Sequence, residues 1–223
     1  MKHQLTGIHY VSRETSSALD ELIAREEERF NQYTELLLWW NKKINLVSRN
    51  AGISEVGRHI RHSLIPVALD MSVSKETILD TGTGGGLPGI PLAMALPERH
   101  FILNDISEKK CRALKQMVHK LGLVNCEVRP GDLEKLRLVD SCILATKHAF
   151  KLKELFHKSK SIPWKQAIIY KGKDYQMELD YYEGEELSGQ AFDLSALDPP
   201  EFFSQKYILL VQRTGVIITR AGT

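Results

Sequence analysis

The sequence of 223 residues has few cysteines and no long apolar segment. Its three cysteines, Cys111, Cys126 and Cys142, are an odd number without C-x-x-C spacing, which argues against a disulfide framework and against a zinc site. No apolar run approaches the ~18 residues of a membrane span, and residues 1–7 lack the apolar stretch of a signal peptide. We therefore expect a cytoplasmic protein whose cysteines are buried as small apolar side chains.

The net charge of +2 conceals an uneven distribution of charge along the chain. Residues 107–175 carry 16 basic and 7 acidic side chains, whereas residues 176–201, the acidic segment, carry 8 acidic side chains and no basic ones. Residues 147–173, the basic segment, hold eight lysines against one glutamate. Such asymmetry predicts a polyanionic partner for one face of the protein. The acidic segment either lies away from that face or shields it when the partner is absent.

The spacing of apolar residues changes along the chain. A period of three to four residues predicts helices over 16–46 and 55–69, and Ser17 with Asp20 resembles a capping box at the start of the first. After residue 75, short apolar runs alternate with helical segments. The predicted strands cover 77–80, 100–105, 125–129, 141–146, 166–170, 207–212 and 215–219, and the predicted helices between them cover 90–95, 109–121 and 150–156.

Alternating strands and helices are typical of parallel βαβ units, so we predict an α/β fold with a Rossmann-like, mostly parallel, seven-stranded sheet. The last two predicted strands are joined only by residues 213–215, a length that permits a hairpin and no crossover. The sheet should therefore end in an antiparallel hairpin. We divide the chain into a helical N-terminal extension over 1–74, packed on the core, and a Rossmann-like domain over 75–223.

A glycine-rich segment, residues 78–91 (ILDTGTGGGLPGIP), joins the first predicted strand of this domain to the helix that follows. Five of the eight residues from Gly82 to Gly89 are glycine, which lets the backbone turn sharply and approach a ligand closely. Pro88 or Pro91 suits the first turn of the next helix. The segment predicts a nucleotide-type site at the carboxyl end of a strand.

Two ligands are compatible with this turn. Residues 84–89 fit G-x-G-x-x-G, and Asp105 follows at about 20 residues, as in dinucleotide-binding proteins. Asp80 favours a different ligand, because a carboxylate at the strand end repels a pyrophosphate and attracts an ammonium group. S-adenosylmethionine carries an ammonium and a sulfonium and no phosphate. We therefore place its methionine end near Asp80, Gly82 and Gly84 and its ribose at Asp105, with a dinucleotide as the alternative.

The strand predicted to end at residue 146 lacks two methyltransferase signatures. Residues 145–148 (ATKH) offer neither the Asn- or Asp-Pro-Pro-aromatic turn of amino-methyltransferases nor the nucleophilic cysteine of carbon-5 enzymes. Residues 198–201 (DPPE) follow a different strand and lack the aromatic, so we interpret them as a loop. An acceptor atom without a proton, such as guanine N7, needs no general base, and its lone pair can attack the methyl group in line with positioning alone.

Three segments resemble the RsmG (GidB) family of bacterial 16S rRNA guanine-N7 methyltransferases: residues 39–48 (WWNKKINLVS), 58–64 (RHIRHSL) and 79–92 (LDTGTGGGLPGIPL). Residues 170–172 (YKG) are similar too, and the resemblance covers roughly residues 30–212. It implies a class I methyltransferase fold, S-adenosylmethionine as cofactor, and 16S rRNA or the small ribosomal subunit as the partner of the basic segment. We expect no DNA partner, no membrane partner and a monomer.

The resemblance also implies roles for individual residues. Gly82 and Leu87 would contact the cofactor, and Leu133 with Glu134 would stand where the family's Ala-Glu pair frames the adenine. Lys147, His148 and Lys171 are candidates to position the substrate or the cofactor. The predicted cofactor-binding residues are Asp80, Gly82, Gly84, Gly86, Leu87, Asp105, Leu133, Glu134 and His148.

The chain departs from the family pattern at three positions. His148 and Asp132 replace frequent arginines, and His62 replaces an aspartate in the RHI-x-DSL segment. His148 is shorter than arginine and only partly protonated at neutral pH, so Lys147 is the candidate to replace the lost contact. Two alternatives follow: a family member that binds cofactor or RNA without turnover, and a methyltransferase for another RNA or a small molecule.

Two further groups of residues invite a function. Glu55, His59 and His62 share a helical face, but no third histidine or cysteine ligand has a placement that the sequence predicts, and we expect no metal. Trp39 and Trp40 could stack on bases. Trp40 continues the apolar stripe of its helix, so we predict a core position for Trp40 and partial exposure for Trp39.

Overall fold

The computed structural model describes residues 4–71, 76–182 and 187–213. Its helices are α1 (Arg13–Arg25), α2 (Glu27–Asn41), α3 (Ile53–Ala68), α4 (Gly89–Ala95), α5 (Glu108–Lys120), α6 (Leu152–Lys158), α7 (Tyr175–Asp180) and α8 (Pro200–Phe203), with a 3-10 turn at Leu133–Lys135. Its strands are β1 (Gln4–Tyr10), β2 (Thr77–Thr81), β3 (Phe101–Asp105), β4 (Cys126–Pro130), β5 (Cys142–Lys147), β6 (Trp164–Gly172), β7 (Leu187–Asp193) and β8 (Lys206–Arg213).

The strands of the described residues form one sheet in the order β1-β7-β8-β6-β5-β2-β3-β4. Strand β8 runs antiparallel to both of its neighbours, β6 and β7, and all the other pairs are parallel. The prediction of a mostly parallel, doubly wound sheet with antiparallel pairing near the C-terminus is confirmed, but the sheet has eight described strands instead of seven, and the antiparallel strand β8 lies inside it. Six predicted strands correspond to β2 through β6 and to β8, and the seventh, 215–219, lies outside the described residues.

Helices cover both faces of the sheet, and the alternation of side chains along each strand explains why. On β2, Ile78 belongs to the apolar cluster that also contains residues of α2, α3 and α5, whereas Leu79 belongs to the cluster that contains α6. Successive side chains of a strand point to opposite faces. A strand buried on both faces is apolar without alternation, and all five residues of β3 are buried.

The N-terminal region differs from its prediction in three ways. The predicted helix over 16–46 is two helices, α1 and α2, separated at Glu26. Ser17 and Asp20 lie inside α1 and form no capping box, and the carboxylate of Asp20 pairs with Arg61 of α3. Helix α2 ends at Asn41, whose Oδ1 accepts hydrogen bonds from the N–H groups of residues 46 and 47.

Two strands lie where the sequence predicted none. Strand β1 comes from the predicted helical extension and pairs with β7, so the region before residue 75 contributes to the sheet as well as three helices. Strand β7 lies within the acidic segment. It pairs antiparallel with β8, the strand for which the sequence predicted residues 215–219 as the antiparallel partner. The loop predicted at 198–201 is also partly wrong, because α8 begins at Pro200. The division of the chain near residue 75 stays a prediction.

The cysteines and the apolar content behave as ordinary core features. Cys111 and Cys142 are buried, Cys126 is partly buried, and all three thiols are free. In the part of the chain that the structure describes, no helix is long and apolar enough to cross a membrane.

Candidate active site

A cavity of about 520 Å³ opens at the carboxyl ends of β2, β3, β4 and β5. This edge of a parallel sheet is where α/β proteins bind ligands. The turns that follow the four strands supply most of its wall, and the loop after α2 closes one side. The lining residues include 46–48, 82–85, 104–106, 131–133 and 147–150, together with His59, Leu87, Lys110, Glu154 and Lys158.

The turn after β2 requires glycine where it meets the turn after β5. Gly82 has a φ of +66°, and a Cβ there would come within 2.4 Å of Ala149 Cβ and 3.0 Å of Phe150 Cε2. Gly84 has a φ of +58°. Residues with a side chain rarely adopt such backbone angles, and none would fit at Gly82. The glycines therefore bring two turns into contact and form one continuous wall.

Asp80 lies beneath this turn and does not line the cavity. Its side chain is completely buried, and Oδ2 accepts hydrogen bonds from the Gly89 N–H at 2.8 Å and the Thr83 Oγ1 hydroxyl at 2.6 Å. Burial raises the pKa of Asp80 to about 7, while these two hydrogen bonds oppose the rise. In this structure Asp80 therefore holds the glycine-rich turn from within, and its predicted role at the methionine end of the ligand stays a prediction.

Gly86 also lies outside the lining, although it belongs to the same turn. A Cβ at Gly86 would come within 2.4 Å of Ile90 Cδ1, so the glycine allows the turn to pack on the start of α4. Leu87, the next residue, does line the cavity. Gly86 thus has a packing role in this structure, and its predicted cofactor contact stays a prediction.

Helix α2 supports the turn from the other side. The completely buried Tyr33 donates a hydrogen bond from its hydroxyl group to the Gly85 carbonyl oxygen at 2.9 Å. Past the end of α2, Leu46, Val47 and Ser48 line the cavity. Sequence reasoning missed these contacts, although residues 39–48 carry the family resemblance, because only the fold brings the loop to the strand ends.

Asp105 ends β3 and faces the cavity. Its Oδ2 accepts a hydrogen bond from the Gly84 N–H at 3.0 Å, and its Oδ1 accepts one from the Ser107 N–H at 2.8 Å. Lys110 Nζ lies 3.9 Å from Oδ2. Each carboxylate oxygen can accept a further hydrogen bond, so the group is suited to a ligand with neighbouring hydroxyls.

Leu133 and Glu134, the pair predicted to frame the adenine, follow β4 and differ in their exposure. Leu133 is buried and lines the cavity, but Glu134 is exposed and lies outside the lining. The carboxylate of Asp132 accepts hydrogen bonds from Lys158 Nζ at 3.1 Å and from the Glu134 N–H at 3.2 Å. Only Leu133 of the two therefore borders the cavity, and the predicted adenine contacts of Leu133 and Glu134 stay predictions.

Lys147 connects the end of β5 to α3. Its Nζ donates hydrogen bonds to the carbonyl oxygen of His59 at 2.9 Å and to Ser63 Oγ at 3.3 Å. Burial lowers the pKa of Lys147 to about 7, with the nearby Asp80 carboxylate opposing that change. Because this pKa lies near neutrality and Lys147 lines the cavity, the charge on this part of the wall changes with pH around 7.

His148 follows Lys147 with a φ of +54° and also lines the cavity. Desolvation of its ring and, to a smaller extent, the positive charge of Lys147 lower the pKa of His148 to about 4. Its ring centre lies 5.9 Å from that of His62. His62 is completely buried against Tyr170 and Phe203, and burial holds its pKa well below the usual value. Both imidazoles are therefore neutral at pH 7.

Lys171 does not reach the main cavity. Its Nζ donates hydrogen bonds to the Phe150 carbonyl oxygen at 2.8 Å and to Glu178 Oε2. The same Glu178 oxygen accepts a hydrogen bond from the Leu152 N–H at the start of α6. Part of the acidic segment therefore lies directly against the basic one and fixes the backbone that walls the cavity.

The side chains of the basic segment fall into two groups. Lys151, Lys153, Lys160, Lys165 and Lys173 are exposed, whereas Lys147, Lys158 and Lys171 are partly or fully buried with the partners described above. Lys147 and Lys158 line the cavity, as expected for lysines near these strand ends.

The other candidate groups are ordinary parts of the fold. His59 Nε2 lies 3.9 Å from Glu55 Oε1, and across the described ranges no group of three or more His, Cys, Asp or Glu side chains could hold a metal ion. Trp40 packs against the core and Trp39 is 48% exposed, as predicted. Lys43 Nζ lies 3.5 Å from the centre of the Trp39 ring.

The cavity has the features that S-adenosylmethionine requires. Asp105 offers carboxylate oxygens for ribose hydroxyls, and Leu46, Leu87 and Leu133 give apolar walls for a flat base. The close approach of the glycine-rich turn leaves backbone groups at the cavity surface. These residues fit the cofactor, and Asp80 supports the turn from within.

Solved structures share this architecture. The O-methyltransferase from Bacillus cereus, in complex with SAH, is similar with a TM-score of 0.54 and 17% identity over 81% of this chain and 90% of the other. The O-methyltransferase TomG from Streptomyces achromogenes, in complex with SAM, gives a TM-score of 0.55 and 12% identity over 84% and 90%. The fold and site define a Rossmann-like, S-adenosylmethionine-dependent methyltransferase.

Sequence comparison assigns the family within that class. The family model described as GidB, rRNA small subunit methyltransferase G, matches residues 26–198, and the chain belongs to this family. The ribosomal RNA small subunit methyltransferase G of Chlorobium limicola is 33% identical over 217 residues, covering 90% of this chain and 98% of that protein. The protein of the same name from Chlorobium luteolum is 34% identical over 81% and 79%.

Proposed function

We propose that this chain transfers a methyl group from S-adenosylmethionine to N7 of a guanine in 16S rRNA of the small ribosomal subunit. One observation carries the proposal. In a chain of the rRNA small subunit methyltransferase G family, the cavity at the strand ends combines the glycine-rich turn, the Asp105 carboxylate and the loop after α2. The segments with the family resemblance thus meet in one cavity, which supports a shared function.

The cofactor would be held by residues from four turns. Asp105 would accept hydrogen bonds from the ribose hydroxyls, Leu87 and Leu133 would flank the adenine, and the backbone at Gly82 and Gly84 would border the methionine end. When bound, S-adenosylmethionine supplies an electrophilic methyl group and leaves as a neutral thioether. The groups of the chain orient the reactants and exclude water.

The electrostatics of the wall suit a reaction that carries positive charge. Guanine becomes cationic when N7 is methylated, and a cation close by would oppose that change. His148 is neutral at pH 7, and burial reduces the charge on Lys147. Glu154, which lines the same cavity, makes no ion pair within the described residues. A histidine in place of the family's arginine is therefore compatible with transfer.

Positioning supplies the remaining rate enhancement, because N7 carries no proton for a base to remove. Lys147 fixes α3 against the end of β5, and Lys171 with Glu178 fixes the backbone from Phe150 to Leu152. These residues act through the geometry of the wall.

The exposed lysines of the basic segment would bind the phosphates of the RNA. Lys151 and Lys153 lie at the start of α6, beside residues that line the cavity. Phosphate contacts release counterions from the nucleic acid, so affinity would fall steeply as salt rises. The same contacts carry little sequence information and would orient the RNA over the cavity.

Transfer of a labelled methyl group tests the proposal. Small subunits and deproteinised 16S rRNA from a strain lacking the gene are incubated with the protein and methyl-labelled S-adenosylmethionine. We expect label in 16S rRNA from at least one of the two substrates. Cofactor binding by calorimetry without any transfer would instead identify a family member that binds without turnover. Transfer to a different RNA or to a small molecule would reject 16S rRNA as the substrate.

A further inference from the structure

A second cavity of about 380 Å³ adjoins the cofactor cavity. The two share one wall, formed by His148, Ala149, Phe150 and Glu154. The second cavity is completed by Lys151, by the last two residues of β6, and by Asp174 and Glu178 at the start of and within α7. Because the four residues of the shared wall border both cavities, a ligand in the second cavity would lie next to a cofactor in the first.

The shared wall is held rigidly and presents an aromatic ring. Lys171 Nζ donates to the Phe150 carbonyl oxygen at 2.8 Å, and Glu178 Oε2 accepts from the Leu152 N–H at 2.7 Å. Lys171 and Glu178 also pair with each other, which ties β6 and α7 to the wall. Phe150 is partly buried and lines both cavities, so an aromatic residue stands where the two cavities meet.

Three carboxylates line the second cavity, and they differ in their partners. Glu178 is committed to Lys171 and to the backbone of α6. Glu154 lies on the wall that both cavities share. Asp174 lines only the second cavity, does not cap α7 with its side chain, and makes no side-chain hydrogen bond or ion pair within residues 4–71, 76–182 and 187–213.

We propose that the second cavity receives the target guanine and that Asp174 recognises its Watson–Crick edge. This inference rests on the proposed function, which requires N7 to face the cofactor cavity. The N1–H and 2-amino donors lie on the opposite side of the purine, away from the shared wall. A carboxylate accepts from both donors at once, whereas adenine presents an acceptor at N1. Of the three carboxylates, Asp174 is the one that both lies outside the shared wall and has no side-chain partner among the described residues.

Glu154 has a separate role in this arrangement. Because it borders both cavities, its negative charge lies beside the position where the methyl group moves. It would favour the cationic product whichever base is bound. Glu154 thus provides a charge-matched comparison, since removing its charge affects rate without affecting the choice of base.

The experiment measures the choice of base directly. After the methylated nucleotide is mapped, RNA fragments spanning it are made with guanosine or with inosine, which lacks the 2-amino group. The ratio of kcat/KM for the two RNAs is measured for the wild type, Asp174→Asn, Asp174→Glu and Glu154→Gln. Calorimetry with S-adenosylmethionine checks that each variant is folded and keeps its cofactor site.

We expect the wild type to prefer guanosine by roughly ten- to a hundredfold, the range for a hydrogen bond to a charged acceptor. Asp174→Asn should reduce the preference to about threefold or less, because the asparagine NH2 group is itself a donor and cannot accept a hydrogen bond from one of the two guanine donors. Asp174→Glu should retain a preference, and Glu154→Gln should slow both RNAs equally. An Asp174→Asn ratio equal to that of the wild type would overturn the inference, as would a wild type indifferent to the 2-amino group. If the wild type failed to methylate the guanosine RNA, the proposed function itself would fall.

Discussion

Tyr33 donates a 2.9 Å hydrogen bond to the carbonyl oxygen of Gly85, which lies 52 residues further along the chain. This bond joins α2, outside the parallel sheet, to the turn that borders the cofactor cavity. The N-terminal helices therefore support the catalytic site as well as covering the core. Their contribution to cofactor affinity can be separated from their contribution to stability.

Removing this hydroxyl should weaken cofactor binding. Tyr33→Phe leaves the Gly85 carbonyl oxygen without its donor, and we expect a loss of about 1 kcal/mol in the free energy of unfolding. S-adenosylmethionine affinity, measured by calorimetry, should fall severalfold because Gly85 lines the cavity. Tyr170→Phe is the matched control, since the equally buried Tyr170 donates to the carbonyl oxygen of Ser63, away from the turn. Equal affinities in the two variants would show that Tyr33 has no special effect on the site.

A side chain at Gly82 should damage the site more than backbone strain alone. In Gly82→Ala the new Cβ would meet Ala149 and Phe150, so the turn and the wall must separate. Gly122→Ala is the control, because Gly122 has a φ of +62° with no atom within 4 Å of the added carbon. We expect about 1 to 2 kcal/mol of destabilisation for Gly122→Ala, from strain alone. Gly82→Ala should lose more stability and most of its S-adenosylmethionine affinity. Wild-type cofactor binding by Gly82→Ala would argue against the close approach of the two turns.

The buried carboxyl of Asp80 should make stability depend on pH. Its folded pKa of about 7 lies above the ordinary pKa of 3.8 for an aspartate side chain, so the folded state binds more protons than the unfolded state between these values. The stability that Asp80 contributes is complete below pH ~4 and declines as pH rises through about 7. Urea unfolding from pH 4 to 8 should show the wild type losing stability relative to Asp80→Asn. If the wild type kept or gained stability relative to Asp80→Asn as pH rises, the carboxyl would not be held in this way.

The salt dependence of RNA binding should locate the RNA-facing surface. Helix α6 packs on one face of the sheet and α5 on the other. Replacing the exposed Lys151 and Lys153 with alanine should reduce the slope of log affinity against log salt by about 2, roughly one for each phosphate contact. The matched pair Arg112→Ala with Lys115→Ala, on exposed positions of α5, should leave the slope unchanged. The opposite result would place the RNA on the other face.

The local sequence was sufficient to predict the strands that lie in the buried, parallel part of the sheet. Strands β2, β3, β5 and β6 contain short apolar runs bounded by turns, and the glycine-rich turn after β2 follows from backbone geometry alone. Strand β7 escaped prediction because its polar residues, such as Ser188 and Gln190, are only partly buried. Its pairing with β8 depends on contacts that are distant in sequence. The break between α1 and α2 was hidden because the apolar stripe keeps its period across Glu26.

The site was predictable in its location and less so in its details. Asp105 and the turn from Gly82 to Leu87 meet at one cavity because they end adjacent strands. The position of Asp80 behind the turn could not be predicted, because the sequence places a carboxylate at the strand end without showing which way it points. Its side chain turns inward to bond Gly89, a residue whose proximity only the fold creates. The contribution of the loop after α2 could not be predicted for the same reason.

The central claim is that the methyl group is transferred to N7 of a guanine in 16S rRNA. The most direct test is to methylate small subunits or 16S rRNA from a strain lacking the gene, digest the RNA to nucleosides and identify the modified base by mass spectrometry. We predict N7-methylguanosine at a single position of 16S rRNA, formed by the wild type. A methyl group on another atom or another RNA, or no methylated nucleoside despite measurable cofactor binding, would contradict the account.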